Sequence, residues 1–239
     1  VLQAEGLVKT VGEGRAARRV LDGASLSVEV GEIVAVLGRS GTGKSTLLHL
    51  LGGLDAPDAG VITVSGERLT GRRSRALARI RLRYIGFVFQ QFQLIEELSG
   101  HENVLVPTRL PGAPEDGARR AADLIDELGL GAVADHRPHE LSGGEQQRFA
   151  IARALVNEPA VILADEPTGS LDATSGATVL ALLANMPGKA VVIVTHEPEA
   201  AAIADRVLAL EGGVLVEAPR QRTAEHGPAA LHAGAPPTR

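Results

Sequence analysis

Apolar positions along this chain gather into short unbroken runs, separated by stretches with a helical period. The runs lie at 32–38 (EIVAVLG), 84–90 (YIGFVFQ), 160–166 (AVILADE), 189–196 (KAVVIVTH) and 205–210 (DRVLAL). Strands that stay apolar on successive residues are buried on both faces, as in a parallel sheet covered by helices. Segments 24–30 and 61–64 alternate instead, beside Gly31, Gly60 and Gly66, and predict a small antiparallel β flank. Helical spacing falls at 43–51, 74–82, 115–128, 143–156 and 174–183, with stops at Gly129 and Pro159. The pattern implies an α/β fold, a mostly parallel sheet covered by helices. Residues 1–217 read as one domain, with a mostly helical subdomain at about 92–157 inserted where no strand-like run occurs. From 218 to 239 the chain is rich in Ala, Pro and Gly, which predicts a flexible tail or linker.

Composition narrows the classes of function. The 24 basic and 29 acidic residues give a net charge of -5, which argues against a nucleic-acid binder held by bulk electrostatics. Any phosphate must be gripped locally. The chain has no cysteine, so disulfides and thiolate metal sites are excluded and a reducing cytosol is the default. No apolar run reaches the roughly 18 residues that cross a bilayer, and the opening VLQAEGLVKT lacks the layout of a secretory signal. The expectation is a soluble protein, held at a membrane only by something else. Val1 is not a methionine, which leaves the natural N-terminus open.

Three motifs carry chemistry. The first, GRSGTGKST at 38–46, matches the phosphate loop G-x-x-x-x-G-K-[ST] between a predicted strand and a predicted helix. Gly38, Gly41 and Gly43, with Ser40 among them, let the backbone fold tightly and aim its amides at phosphate oxygens. Lys44 reaches the β and γ phosphates, Ser45 offers a hydroxyl to magnesium, and Thr46 completes the motif. The second, VILADEP, places Asp165 and Glu166 side by side at the carboxyl end of a strand, where open α/β sheets bind ligands. Adjacent carboxylates repel unless a cation or a proton settles them. Magnesium on a nucleotide does so for Asp165 and leaves Glu166 to orient and activate a water.

The third motif, LSGGEQQR at 141–148, supports two readings. Ser142 and Glu145 fit a capping box. The same serine and glycines could also hold an anion at the mouth of a helix.

With LSGGEQQRFAIARAL added to the first two motifs, the chain resembles the nucleotide-binding domain of ATP-binding cassette (ABC) proteins, over about 2–217. The resemblance implies a phosphate-loop ATPase fold, ATP and Mg2+ as cofactors, and ATP hydrolysis. It implies that Gln90 in FVFQ contacts magnesium and senses the membrane partner, and that His196 in VTHE steadies the γ phosphate. It also places Asp172 of SLD in a loop crossing between subunits, although the same residue could cap the following helix. Ser142 and Gly144 would then grip the γ phosphate of ATP bound to a second copy, in a head-to-tail dimer. Among ABC proteins, HENV, HELSGGEQQR and ADEPTGSLDATSG are similar to the branch of ATPases for macrolide export, lipoprotein release and cell division. That branch implies an integral membrane permease as partner, no nucleic acid, and a place on the cytoplasmic, inner face of the membrane. A regulatory module of the cell-division type, transporting no solute, stays open as the alternative.

Two features depart from the pattern. All five aromatics (Tyr84, Phe87, Phe89, Phe92 and Phe149) lie beyond the first third of the chain, so Val11 stands where most members stack a tyrosine on adenine. Arg15, Arg18 or Arg19 is the candidate substitute, and poor discrimination between ATP and GTP is expected. The run RRSRALARIRLR at 72–83 reads as the solvated face of a helix whose Leu77 and Ile80 turn inward, with a membrane-proximal role as the other reading.

Overall fold

In the computed structural model, residues 1–218 are described. In chain order the strands and helices are β1 (Leu2–Val11), β2 (Arg18–Val28), β3 (Ile33–Leu37), α1 (Lys44–Leu51), β4 (Ala59–Val64), β5 (Glu67–Arg68), α2 (Ser74–Tyr84), β6 (Ile85–Val88), α3 (Gly100–Leu105), α4 (Gly117–Glu127), α5 (Gly143–Leu155), β7 (Val161–Asp165), α6 (Ala173–Ala184), β8 (Ala190–Thr195), α7 (Pro198–Ala202), β9 (Arg206–Glu211) and β10 (Val214–Glu217). The predicted tail at 218–239 lies, but for its first residue, outside the described residues.

Two sheets share the core. The larger runs β10-β9-β3-β8-β7-β6 and is parallel except for the β9–β10 hairpin. Its central strand β8 is buried at every position, the consequence of an AVVIVT run covered on both faces. The smaller sheet, β2-β1-β4-β5, is antiparallel. One apolar cluster joins the two sheets through Leu2, Leu21, Val36, Leu47 and Val194. A second lies on the other face of the large sheet and joins it to α3, α4 and α5 around the fully buried Phe149. Truncating Phe149 to alanine destabilises by about 3 to 5 kcal/mol on the usual scale for buried aromatics.

The antiparallel flank is more extensive than the sequence pattern implies. β1 is absent from the periodic reading because its alternation is broken: register shifts fall between Ala4 and Leu7, Leu7 and Val8, and Lys9 and Thr10. Each irregularity re-phases the side chains, so no long period of two survives. At the other end of the flank, the expected strand at 24–30 stops at Val28. Glu32 closes a turn there by accepting from the Glu29 amide at 2.8 Å, and Val30 is 65% exposed. Between 92 and 157 the described elements are helices and short 3-10 turns.

Candidate functional site

Four neighbouring strands of the large sheet deliver the sequence candidates to one edge. Beyond the carboxyl ends of β3, β8, β7 and β6 lie the glycine-rich loop, His196, Asp165 with Glu166, and Gln90. A cleft of about 660 Å³ opens there, and Ser40, Gly41, Gly43, Lys44, Ser45, Thr46, Gln90, Asp165, Glu166 and His196 all line it. This is the strand-end crevice in which open α/β sheets bind ligands.

The loop owes its shape to its glycines. Gly41 and Gly43 have φ of 77° and 107°, a region that penalises side chains. Gly43 also backs onto Val20, and a Cβ at Gly38 would come within 2.7 Å of the Thr42 hydroxyl. Gly43 precedes α1 without any side-chain cap, so the first amides of that helix are left for a ligand. The Lys44 ammonium is buried and curls back to donate to the Gly38 carbonyl at 2.7 Å and the Arg39 carbonyl at 3.4 Å. Its nearest carboxylate is Glu166, at 3.5 Å.

The two acids are treated differently. Burial raises the Asp165 carboxyl above its ordinary range, and the adjacent Glu166 adds to this while the Ser45 hydroxyl draws it back. Ser45 Oγ donates to Asp165 Oδ1 at 3.2 Å. At Glu166 burial pushes upward too, but hydrogen bonds from His196 and Thr195, with His196 and Lys44 nearby, outweigh it and hold the carboxyl below its ordinary range. Glu166 Oε1 meets His196 Nδ1 at 3.0 Å, and Oε2 accepts from the His196 amide at 3.2 Å. Glu166 carries φ of 44°, a left-handed conformation in a residue with a Cβ, while its amide still donates to Val194. Such backbone typically stores about 1 to 3 kcal/mol and persists only where the surroundings fix it.

Ser142, Gly144 and Asp172 are not part of this cleft. Ser142 caps α5, donating its hydroxyl to Glu145 Oε2 at 2.7 Å and accepting from the Glu145 amide at 3.4 Å, while its own amide bonds the same carboxylate at 2.8 Å. The capping box is therefore formed. Gly144 packs so closely on α6 that a Cβ would lie 2.6 Å from Ser175 Oγ. Asp172 caps α6, its Oδ1 accepting from the amides of Thr174 and Ser175, both at 3.0 Å.

Val20 and Arg153 escaped the sequence reading. Val20 forms the apolar end of the cleft together with Val11, and Arg18, one of the arginines offered in place of the missing ring, donates to the Gly41 carbonyl at 3.1 Å. Nothing in the pattern of β2 sets Val20 apart from a core valine. The Arg15 side chain lies outside what is described. Arg153 of α5 is turned inward and donates to the carbonyls of Phe92 and Gln93, which follow Gln90 and carry φ of 56° and 53°. In the sequence it reads only as one more helical arginine.

Among the described residues no group of three or more His, Cys, Asp or Glu could hold a metal by itself. Ser45 and Asp165 supply a partial oxygen set, which suits a hard divalent cation that completes its shell with phosphate and water. No described helix is long and apolar enough to cross a membrane.

Comparison with known proteins agrees with this geometry. The family profile described as "ABC transporter" matches residues 21–169. The lipoprotein-releasing system ATP-binding protein LolD of Xanthomonas oryzae pv. oryzae (strain MAFF 311018) is 47% identical over 221 residues, 91% of each chain. The macrolide export ATP-binding/permease protein MacB of Chlorobaculum tepidum is 41% identical over 95% of this chain, which spans 35% of that longer protein. Among solved structures, the dimeric post-hydrolysis state of the ATP-binding cassette MJ0796 bound to ADP and Pi superposes with a TM-score of 0.83 at 37% identity, covering 93% of this chain and 100% of that one.

Proposed function

The chain belongs to the ABC transporter family, and on that premise we propose that it is the ATP-hydrolysing subunit of a membrane transport complex, working as a head-to-tail pair. The observation that carries this reading is the division of the motifs. Lys44, Ser45, Asp165, Glu166 and His196 converge on one cleft, while Ser142 and Gly144 sit at the start of α5 outside it. A second copy brings its Ser142 and Gly144 to the open side of the cleft, and its Asp172 to the junction. That the MJ0796 cassette is dimeric with ADP and Pi bound supports pairing of two copies.

In the cleft, the loop amides and Lys44 hold the phosphates, and Lys44 exchanges its carbonyl partners for phosphate oxygens. Val11 and Val20 give the base an apolar floor without a ring. Ser45, Asp165 and Gln90 are the residues that would hold Mg2+, which when bound offsets phosphate charge. Glu166, kept ionised and aimed by His196, accepts a proton from the attacking water, and His196 also steadies the terminal phosphate. ATP touches both copies and favours the closed pair; hydrolysis removes that bridge.

The permease is seated in a second cleft of about 430 Å³, lined by Leu82, Phe87 and Phe89 of the core and by Pro107 and Leu110 of the helical region. Residues 92–157 then form a subdomain that moves with it. Arg153 ties α5 to the chain after Gln90, so the Ser142 end and the permease seat shift together. The subunit works at the inner face of the membrane. The test is Glu166→Gln, which keeps the shape and removes the base: an ATP-bound dimer accumulates on size exclusion and hydrolysis collapses. Hydrolysis at the parent rate overturns the assignment.

A further inference from the structure

Charge is unevenly placed on this molecule. In 67–84 seven arginines (68, 72, 73, 75, 79, 81 and 83) accompany one acid, Glu67, in a chain of net charge -5. α2 buries Ile80, packs Leu77 and Tyr84 against the core, and turns Arg81 inward to donate to the Gly53 carbonyl at 2.8 Å. Arg75, Arg79 and Arg83 follow one another at four-residue intervals and are all exposed. That spacing places them in one stripe along the helix. Arg72 extends it, lining a shallow groove of about 340 Å³ with Arg79, Arg83 and Tyr84.

Among the described residues, Arg72 alone of the seven meets a carboxylate, Glu67 at 3.3 Å. Like charges four apart weaken a helix, so the stripe lacks internal compensation. Guanidinium groups match phosphate oxygens in pairs. Ala78, Arg81 and Leu82, on a neighbouring face of α2, line the cleft assigned above to the permease. A permease seated in that cleft would bring this neighbouring face of α2 toward the membrane.

We propose that the arginine stripe of α2 is a docking surface for the anionic headgroups of a membrane leaflet. The occupant is lipid phosphate: the stripe adjoins the α2 face assigned to the membrane partner, and outside 67–84 the chain carries 17 basic against 28 acidic residues, which disfavours an extended nucleic acid. The inference rests on the membrane reading above, and its test is separate from it.

The experiment is co-sedimentation of the protein, without permease, with vesicles of phosphatidylglycerol and phosphatidylcholine in equal parts, against phosphatidylcholine alone. The parent binds only the anionic vesicles and is released by 0.5 M salt. The triple variant Arg75→Gln, Arg79→Gln, Arg83→Gln loses on the order of a hundredfold in vesicle affinity and keeps the ATPase rate of the parent in solution. Equal binding to both vesicles, salt-insensitive binding, or undiminished binding by the variant overturns the proposal, as does displacement by duplex DNA at equal phosphate concentration. Even if the variant fails to fold, salt-insensitive or headgroup-independent binding by the parent overturns the proposal. Absence of ATP hydrolysis by the parent would count against the ATPase assignment and leave the vesicle result standing.

Discussion

α1 and α5 both begin at glycine-containing motifs, yet their first turns are in opposite states. α1 follows Gly43 in a left-handed conformation with no side chain on its free amides, beside a buried lysine and two carboxylates. α5 follows Ser142, whose hydroxyl and amide are both bound to Glu145. The first is open to a phosphate in the single chain. The second is satisfied without one, and takes a phosphate only by sharing or releasing its internal cap. The difference teaches that anion binding at a helix start depends on what else competes for the amides, and the proposed dimer uses it to divide the labour: one end would bind, the other would report closure.

The largest expected effect probes the open end. Glu166→Gln should reduce ATP turnover by roughly a hundredfold to ten-thousandfold, the usual range for loss of a general base, with nucleotide binding retained in a titration. Next comes the capped end. Ser142→Ala should reduce turnover by about tenfold or more through loss of one donor to the phosphate, while the affinity of the dilute single chain for ATP is unchanged. Parallel loss of both quantities would erase the distinction between the two helices. The same variant should lower stability by about 1 kcal/mol in a denaturant melt, because the cap itself is lost.

A smaller effect concerns the apolar end of the cleft. Val11→Tyr should tighten the binding of ATP and GTP alike by about fivefold or more, by analogy with base stacking on aromatic side chains, which every base supports; competition binding measures it. The smallest is a pH effect at the capped end. The Ser142 hydroxyl and amide hold the Glu145 carboxyl below its ordinary range. A carboxylate with a lowered folded value stabilises above its unfolded value and loses that contribution as pH falls through the folded one. The melting difference between the parent and Ser142→Ala should therefore narrow below about pH 4.

Legibility in the sequence followed the same physics. The apolar runs that became β3, β6, β7, β8 and β9 could be read directly, since strands buried on both faces leave an uninterrupted signal. The phosphate loop and the paired acids were legible because few other contexts put those residue types between a strand and a helix. β1 was not, because its register shifts destroy alternation. α3 was not, because it is six residues long and starts at Gly100, where a Cβ would lie 2.4 Å from the Phe149 ring, so a packing demand replaced the helix former. The inward turn of Arg153, and its grip on the carbonyls of Phe92 and Gln93, depend on a contact between segments about sixty residues apart. No local pattern encodes that.

The central claim is that the open and capped ends complete one another only across two chains. Its most direct test is ATP turnover per chain over a dilution series, with the monomer and dimer fractions measured in parallel by sedimentation. Turnover per chain should fall with the dimer fraction and vanish in the monomer. A per-chain rate that stays constant after the protein has become monomeric would contradict the account.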